Sequence, residues 1–316
     1  MSVGVWLRKP WFGPLVALLC VYALFSALAP DTFVAGPNLV TMLQQTVIVS
    51  IAAMGMALII IHGGIDLSVG STVALTTVVT AKFLQSGAGP ATAVLAALLL
   101  GAVAGGLNGG LVVGLRIPPF IATLGTMSAL RGIAKGVADE QKIDAPARGL
   151  DSWMSIVPGV RPVPYGVWIA LATAIVCALV LSYTRLGRHA VAVGSNEHTA
   201  RLCGVPVARV RLAIYALGGI LAALAGVLEF STLTVGDPTD SVGLELDAIA
   251  AVVIGGGSLS GGQGSIAGTL IGALLLTVIK AGCAHLGMPN WIQEILTGFI
   301  IVLAVTLDRV RQAVQD

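Results

Sequence analysis

An all-α membrane protein that crosses the bilayer about ten times is the fold class this sequence predicts. Three observations predict it. Of 316 residues, 56% are hydrophobic and only 10% charged, where a soluble domain carries about a quarter charged residues. The mean hydropathy is +0.96. The apolar residues are gathered into runs close to the length that spans a bilayer, and no stretch is long and polar enough for a separate soluble domain. Residues 1–316 therefore read as a single transmembrane domain.

The first run, Trp11 to Ala29, follows Arg8 and Lys9. "SALAP" resembles the small-residue end of a cleaved signal, but the run is long enough to span and nothing soluble follows it, so it reads as a retained span. Further runs cover 39–61, 67–85, 91–114, 117–137, 166–184, 212–232, 247–260, 265–284 and 291–307. The runs at 67–85 and 247–260 are bordered by polar and glycine-rich residues. Lys and Arg set the orientation, because they are retained on the cytosolic side. Arg8, Lys9, Arg116, Arg185, Arg188, Arg201, Arg209, Arg211, Arg309 and Arg311 all fall on one side of this arrangement. Both termini are therefore expected in the cytosol. The opposite side holds the mixed-charge loop 138–165 and "TVGDPTDSVGLELD" (234–247), which has four carboxylates and no Lys or Arg.

Several function classes drop out. A net charge of +2, with basic residues distributed between apolar runs and forming no patch, gives no basis for nucleic-acid binding. Cys20, Cys177, Cys203 and Cys283 show no disulfide or metal spacing, and His62, His189, His198 and His285 share no ligand spacing. Gly-Lys, the core of a phosphate-binding P-loop, occurs nowhere. "GQGSIA" (262–267) fits a loose dinucleotide pattern, but no strand precedes it and an apolar run follows. Neither G-x-S-x-G nor H-E-x-x-H is present. No enzymatic site is expected, and any ATP and Mg belong to another polypeptide.

Four features invite a function. Asp66, in "HGGIDLSVGS", is set between runs apolar enough for lipid, where a carboxylate needs a partner, a water-filled cavity or an interface. It either faces a pore or caps the third span at its cytosolic boundary. Glycines recur every fourth residue at 101/105/109, 106/110/114 and 264/268/272. Such stripes let helices approach closely, within one subunit or across a dimer seam. "GGIDLSVGS" (63–71) is echoed by "GGGSLSGGQGS" (255–265), as in transporters built from duplicated halves. In the long connection 185–211, Glu197 to Leu202 form a short helix capped by Asn196 or Ser195 and ended by Gly204. Held on the cytosolic face, it suits a partner's groove or is merely part of a solvated basic loop.

The blocks "GGIDLSVGS", "IATLGTMSALRGIA", "GRHAVAVGSNEHTARLCGV", "VRLAIYALGGILAALAGVLE", "GLELDAIAAVVIGGGSLSGGQGSIAGTLIGALLL" and "IQEILTGFIIVLAV" together resemble, nearly end to end, the permease subunits of ribose/xylose/galactose-type ABC importers within the branched-chain amino acid and sugar permease family. The resemblance implies a fold like the vitamin B12-importer permease in a bacterial inner membrane. It implies a second permease copy or sibling, a cytosolic ABC ATPase and an extracytoplasmic sugar-binding protein as partners. The family's coupling loop maps onto Asn196, Glu197, His198, Thr199, Ala200 and Gly204, with His198 and Thr199 departing from its usual small residues.

On this reading the chain imports a monosaccharide through a wide, weakly polar pathway. Asp66, Asn108, Gln44, Gln45 and Thr126 are the candidate pathway groups. Asp237, Asp240, Glu245 and Asp247 are the candidate docking surface for the binding protein. The alternative is an ion-coupled secondary transporter, which needs carboxylates at the membrane midplane; here they cluster at span ends.

Overall fold

The computed structural model describes residues 12–156 and 162–313. In chain order its helices are α1 (Phe12–Leu28), α2 (Pro30–Phe33), α3 (Gly36–Ile61), α4 (Val69–Gln85), α5 (Pro90–Gly114), α6 (Pro119–Val137), α7 (Tyr165–Tyr183), α8 (Arg185–Ser195), α9 (Glu197–Leu202), α10 (Val207–Leu233), α11 (Leu244–Ile254), α12 (Ile266–His285) and α13 (Asn290–Ala313). Each predicted span contains one helix: α1, α3, α4, α5, α6, α7, α10, α11, α12 or α13. Among the described residues α3, α5, α7, α10 and α12 are long and apolar enough to cross a membrane. The chain is thus an all-α polytopic membrane protein. Arg8 and Lys9, used above for orientation, lie outside the described residues.

α3 is apolar on every side from Ile51 to Ile61, and all of those residues are buried. A helix without a polar face belongs in the middle of a bundle, and α3 is packed by α7, α10, α11 and α12. α10 lies beside it and also packs on α4 and α5. At the periphery, α5 exposes Leu95, Leu99, Val103 and Leu107, and α7 exposes Trp168, Leu171, Ile175 and Leu179. These stripes at helical spacing are what a lipid-facing surface requires.

Two glycine stripes serve packing within the chain. Gly101 and Gly105 on α5 meet the backbone of Gly219 and Tyr215 on α10, and Gly109 lies against Leu212. Gly264 packs on Ile61, and Gly268 and Gly272 on the backbone of Gly255 and Ala251. The stripe Gly106, Gly110 and Gly114 has nothing within 4 Å.

The expected span 247–260 is corrected to the 11-residue helix α11. At 1.5 Å per residue this is about 16 Å, roughly half the hydrocarbon thickness. The helix stops because Gly256 adopts φ +88°. Its N–H then donates to Val253 O (3.0 Å), and that of Gly257 donates to Val252 O (2.8 Å), a Schellman end. α3 ends the same way. Gly63 has φ +88°, its N–H donates to Ile60 O (2.8 Å), and that of Gly64 donates to Ile59 O (2.9 Å). The sequence echo is therefore a duplicated local geometry. After each stop a polar side chain accepts from the amide two residues on: Asp66 Oδ1 from Ser68 N (2.8 Å) and Ser258 Oγ from Ser260 N (3.2 Å). The two loops touch, with Gly262 N donating to Ile61 O at 2.8 Å.

Further elements were not foreseen. The long connection between α7 and α10 contains α8, capped by Thr184 Oγ1, which accepts from Gly187 N (3.2 Å). On the other side, Ile143–Asp144 and Val235–Gly236 pair antiparallel as β1 and β2, with Ile143 opposite Gly236, so the loops after α6 and α10 are joined.

Candidate functional site

Asp66 is buried by this architecture. The stop at the end of α3 turns the chain inward, and the carboxyl accepts from Ser68 N (2.8 Å), Ser68 Oγ (2.6 Å) and Asn108 Nδ2 (3.3 Å to each oxygen). Asn108, on α5, also donates to Ser68 Oγ (2.8 Å), and its Oδ1 accepts from Thr126 Oγ1 of α6 at 2.6 Å. Asp66, Asn108 and Thr126 are 2%, 0% and 7% exposed. Thr123 Oγ1 and, at 3.4 Å, the Tyr215 hydroxyl donate to Ile65 O. The polar partner that a carboxylate at this depth requires is thus protein, and Asp66 shapes a turn before α4, whose N-cap is Ser68. Sequence had placed these three residues in one group without their connectivity, and had missed Tyr215. Asn108→Ala removes donors from a buried carboxyl and the acceptor of Thr126. It should cost about 1–3 kcal/mol, read as a lower melting temperature in detergent, with Gln45→Ala unchanged as the control.

Gln44 and Gln45 lie elsewhere. They line an outer cavity of about 690 Å³ bounded by α3, α10, α11, α12 and α13. Asn38, Thr41, Thr232, Thr277 and Gln293 add neutral hydrogen-bonding groups to its wall, and Gln44 Nε2 is held by Met154 O at 2.6 Å.

The four outer carboxylates do not form the expected exposed, acidic rim. Asp247 is buried and paired with Lys280, the two facing the outer cavity. Asp237 is buried and paired with Lys142 at 2.8 Å. Burial raises the Asp237 carboxyl, but hydrogen bonds from Lys142 and Thr239 outweigh it and hold the group below the usual carboxylate range. Asp240 caps its own turn through Ser241 N (2.7 Å) and gives its carbonyl to Arg131 (2.6 Å). Glu245 is tucked against the position of Gly70. The correction has a simple cause: Asp237 and Asp247 are taken up by Lys142 beside β1 and Lys280 of α12, and Asp240 by its own turn. The exposed acids of this side include Asp139, Glu140, Asp144 and Asp151.

α9 is built as the sequence indicates. Asn196 Oδ1 accepts from Thr199 N (2.9 Å), and Gly204, at φ +81°, closes a Schellman end with Val205 N donating to Ala200 O at 3.1 Å. Ala200 is buried with Val193 and Val207, while His198, Thr199 and Cys203 are exposed and Leu202 is 76% exposed. Glu197 points inward, bridging Arg201 at 2.8 Å and Arg211 of α10 at 2.7 Å. The Arg211 hydrogen bond, opposed by burial and helped by the charges of Arg211 and Arg201, lowers the Glu197 pKa. The result is a short, rigid knob with an apolar tip. Arg211 and Leu202 were the residues missed; both are ordinary in sequence and acquire their place only through the turn at Gly204.

Basic residues converge here as well, which corrects the expectation that they form no patch. Arg116, Arg201, Arg209 and Arg211 line a cavity of about 1080 Å³ with Glu197 as its one carboxylate.

The chain is 42% identical over 303 residues to the ribose import permease protein RbsC of Escherichia coli strain K12, covering 94% of this chain and 93% of the relative. It is 40% identical over 304 residues to the protein of the same description from Bacillus subtilis strain 168, covering 95% and 93%. The D-allose transport system permease protein AlsC of Escherichia coli strain K12 is 33% identical over 299 residues, covering 94% and 91%. No solved structure matches the chain. Residues 38–305 match the family described as branched-chain amino acid transport system / permease component, and the chain belongs to that family.

Proposed function

We propose that this chain is the transmembrane subunit of an ATP-driven importer that passes a ribose-like pentose or related monosaccharide. The observation that carries the reading is its full-length likeness to ribose import permeases. The outer cavity supports it: neutral amides and hydroxyls around Gln44 and Gln45 offer sugar hydroxyls exchangeable hydrogen bonds without a tight site. An extracytoplasmic binding protein delivers the sugar, and a separate cytosolic ATPase engages α9 through His198, Thr199 and Leu202. Two permease copies, or one with a sibling, enclose the pathway. Each has ten membrane helices, α11 reaching only part-way across, in the manner of the vitamin B12-importer permease, with both termini in the cytosol of a bacterial inner membrane. Within one copy the network of Asp66, Asn108 and Thr126 holds the cytosolic floor. Docking falls to the joined outer loops, with Asp139, Glu140, Asp144 and Asp151 as the charges that steer encounter.

Reconstitution in liposomes with the cognate ATPase and binding protein tests the proposal. Labelled ribose should accumulate only with ATP and the loaded binding protein, and a panel of xylose, galactose, allose and arabinose should rank the substrates. Accumulation driven by an ion gradient without ATP would replace this reading with secondary transport.

A further inference from the structure

The arginine-lined cavity is a site in its own right. Its walls are the last turn of α5 (Val112, Val113), the linker Arg116–Pro118, the start of α6, the side of α9 and the first turn of α10. Of its four arginines, Arg201 and Arg211 share the single carboxylate, Glu197. Arg116 and Arg209 are exposed and have no carboxylate partner among the described residues. Arg116 also has φ +54°, a conformation uncommon for a residue with a side chain. Two long helices begin at this cavity, α6 after Pro118 and α10 after Pro206, and neither has a side-chain cap. Helix N-termini carry partial positive charge, which suits phosphate. Guanidinium groups match phosphate oxygens in geometry as well as charge. Everything polar at this site, Glu197 apart, favours an anion.

The surroundings specify the kind of anion. Leu115, Phe120 and Ile121 beside the cavity are 65%, 52% and 57% exposed, and Val112, Val113, Ile117, Pro118 and Pro119 form its apolar wall. A free phosphate makes no use of these side chains, and neither does a solvated acidic peptide. An amphiphile uses both parts. Basic pockets between transmembrane helices on the cytosolic side recognise anionic headgroups. We infer that this cavity binds the phosphate headgroup of an anionic phospholipid, with Arg116 and Arg209 as its principal ligands and the acyl chains lying along Leu115, Phe120 and Ile121.

Native mass spectrometry of the full chain, titrated with cardiolipin, phosphatidylglycerol or phosphatidylcholine in detergent, tests this. Anionic lipids should bind in saturable adducts that phosphatidylcholine does not form. Arg116→Gln with Arg209→Gln should weaken them by about 30-fold, at about fivefold per guanidinium near the membrane surface. Both variants leave the Glu197 pairs intact. Arg148→Gln, on the opposite side, should change nothing. Equal binding of phosphatidylcholine, or undiminished anionic adducts in the double variant, overturns the inference. Displacement by millimolar inorganic phosphate shows a free-phosphate site instead. Loss of the adducts when the ATPase is added shows that the cavity belongs to the subunit interface, and overturns it as well.

Discussion

Gly105→Leu is expected to damage the membrane domain severely. A Cβ at Gly105 would meet the Tyr215 carbonyl and Gly219 Cα, and those are backbone atoms that cannot rotate away. α5 and α10 must then separate, and Tyr215, whose hydroxyl donates to Ile65 O beside Asp66, is carried with them. Overpacking of a well-filled core costs about 1–3 kcal/mol, and contact against main chain puts this position at the upper end. The neighbouring substitution Gly106→Leu has open space within 4 Å and should stay within about 0.5 kcal/mol of wild type, as surface changes do. Yield and melting temperature in detergent separate the two. If both variants melt like wild type, α5 does not pack on α10 through this stripe. If Gly106→Leu is the damaging one, the stripe that faces open space in one copy is buried against a second.

That pair shows what a sequence of this kind makes legible. Hydrophobic runs locate the helices, because a helix in lipid satisfies its backbone internally and leaves an uninterrupted apolar signal. Glycine spacing announces close approach but not the partner, since both stripes in α5 have the same period and only one meets α10. The end of α11 was misplaced because "VVIGGG" is apolar throughout, and its stop depends on the φ of Gly256. α8 went unseen among arginines, although Gly187, Ala190 and Val193 give it a buried stripe. Local capping was readable at α9, where Asn196 and Gly204 act within a few residues. Long-range pairing was not. Lys142 with Asp237, Lys280 with Asp247 and Arg116 beside Arg209 become neighbours only once the loops close, so charges that read as exposed are engaged inside the fold.

Glu197→Lys is expected to abolish most transport while leaving insertion intact. Glu197 is the one acidic group among Arg116, Arg201, Arg209 and Arg211, and its two oxygens fix α9 to α10 through Arg201 and Arg211. Each pair is partly exposed and adds only about 0.2–1 kcal/mol to stability, so the protein should still fold. Reversing the charge turns two attractions into repulsions and releases α9 from α10. Coupling energies between sites are typically 1–3 kcal/mol, or about 5–150-fold, so sugar uptake per ATP should fall about tenfold or more. Glu197→Gln keeps one hydrogen bond and should lose less. The pH dependence has a definite sign. Because the Arg211 hydrogen bond holds the folded Glu197 carboxyl below the usual carboxylate range, the clamp contributes stability above the unfolded pKa and loses it only as pH falls through the lower, folded one. Coupling should therefore not titrate near neutrality. Uptake and ATP hydrolysis, measured together in liposomes, decide the matter. Equal coupling in wild type and Glu197→Lys would show that α9 transmits force without this clamp, whereas loss of co-purification with the ATPase would place the defect in assembly.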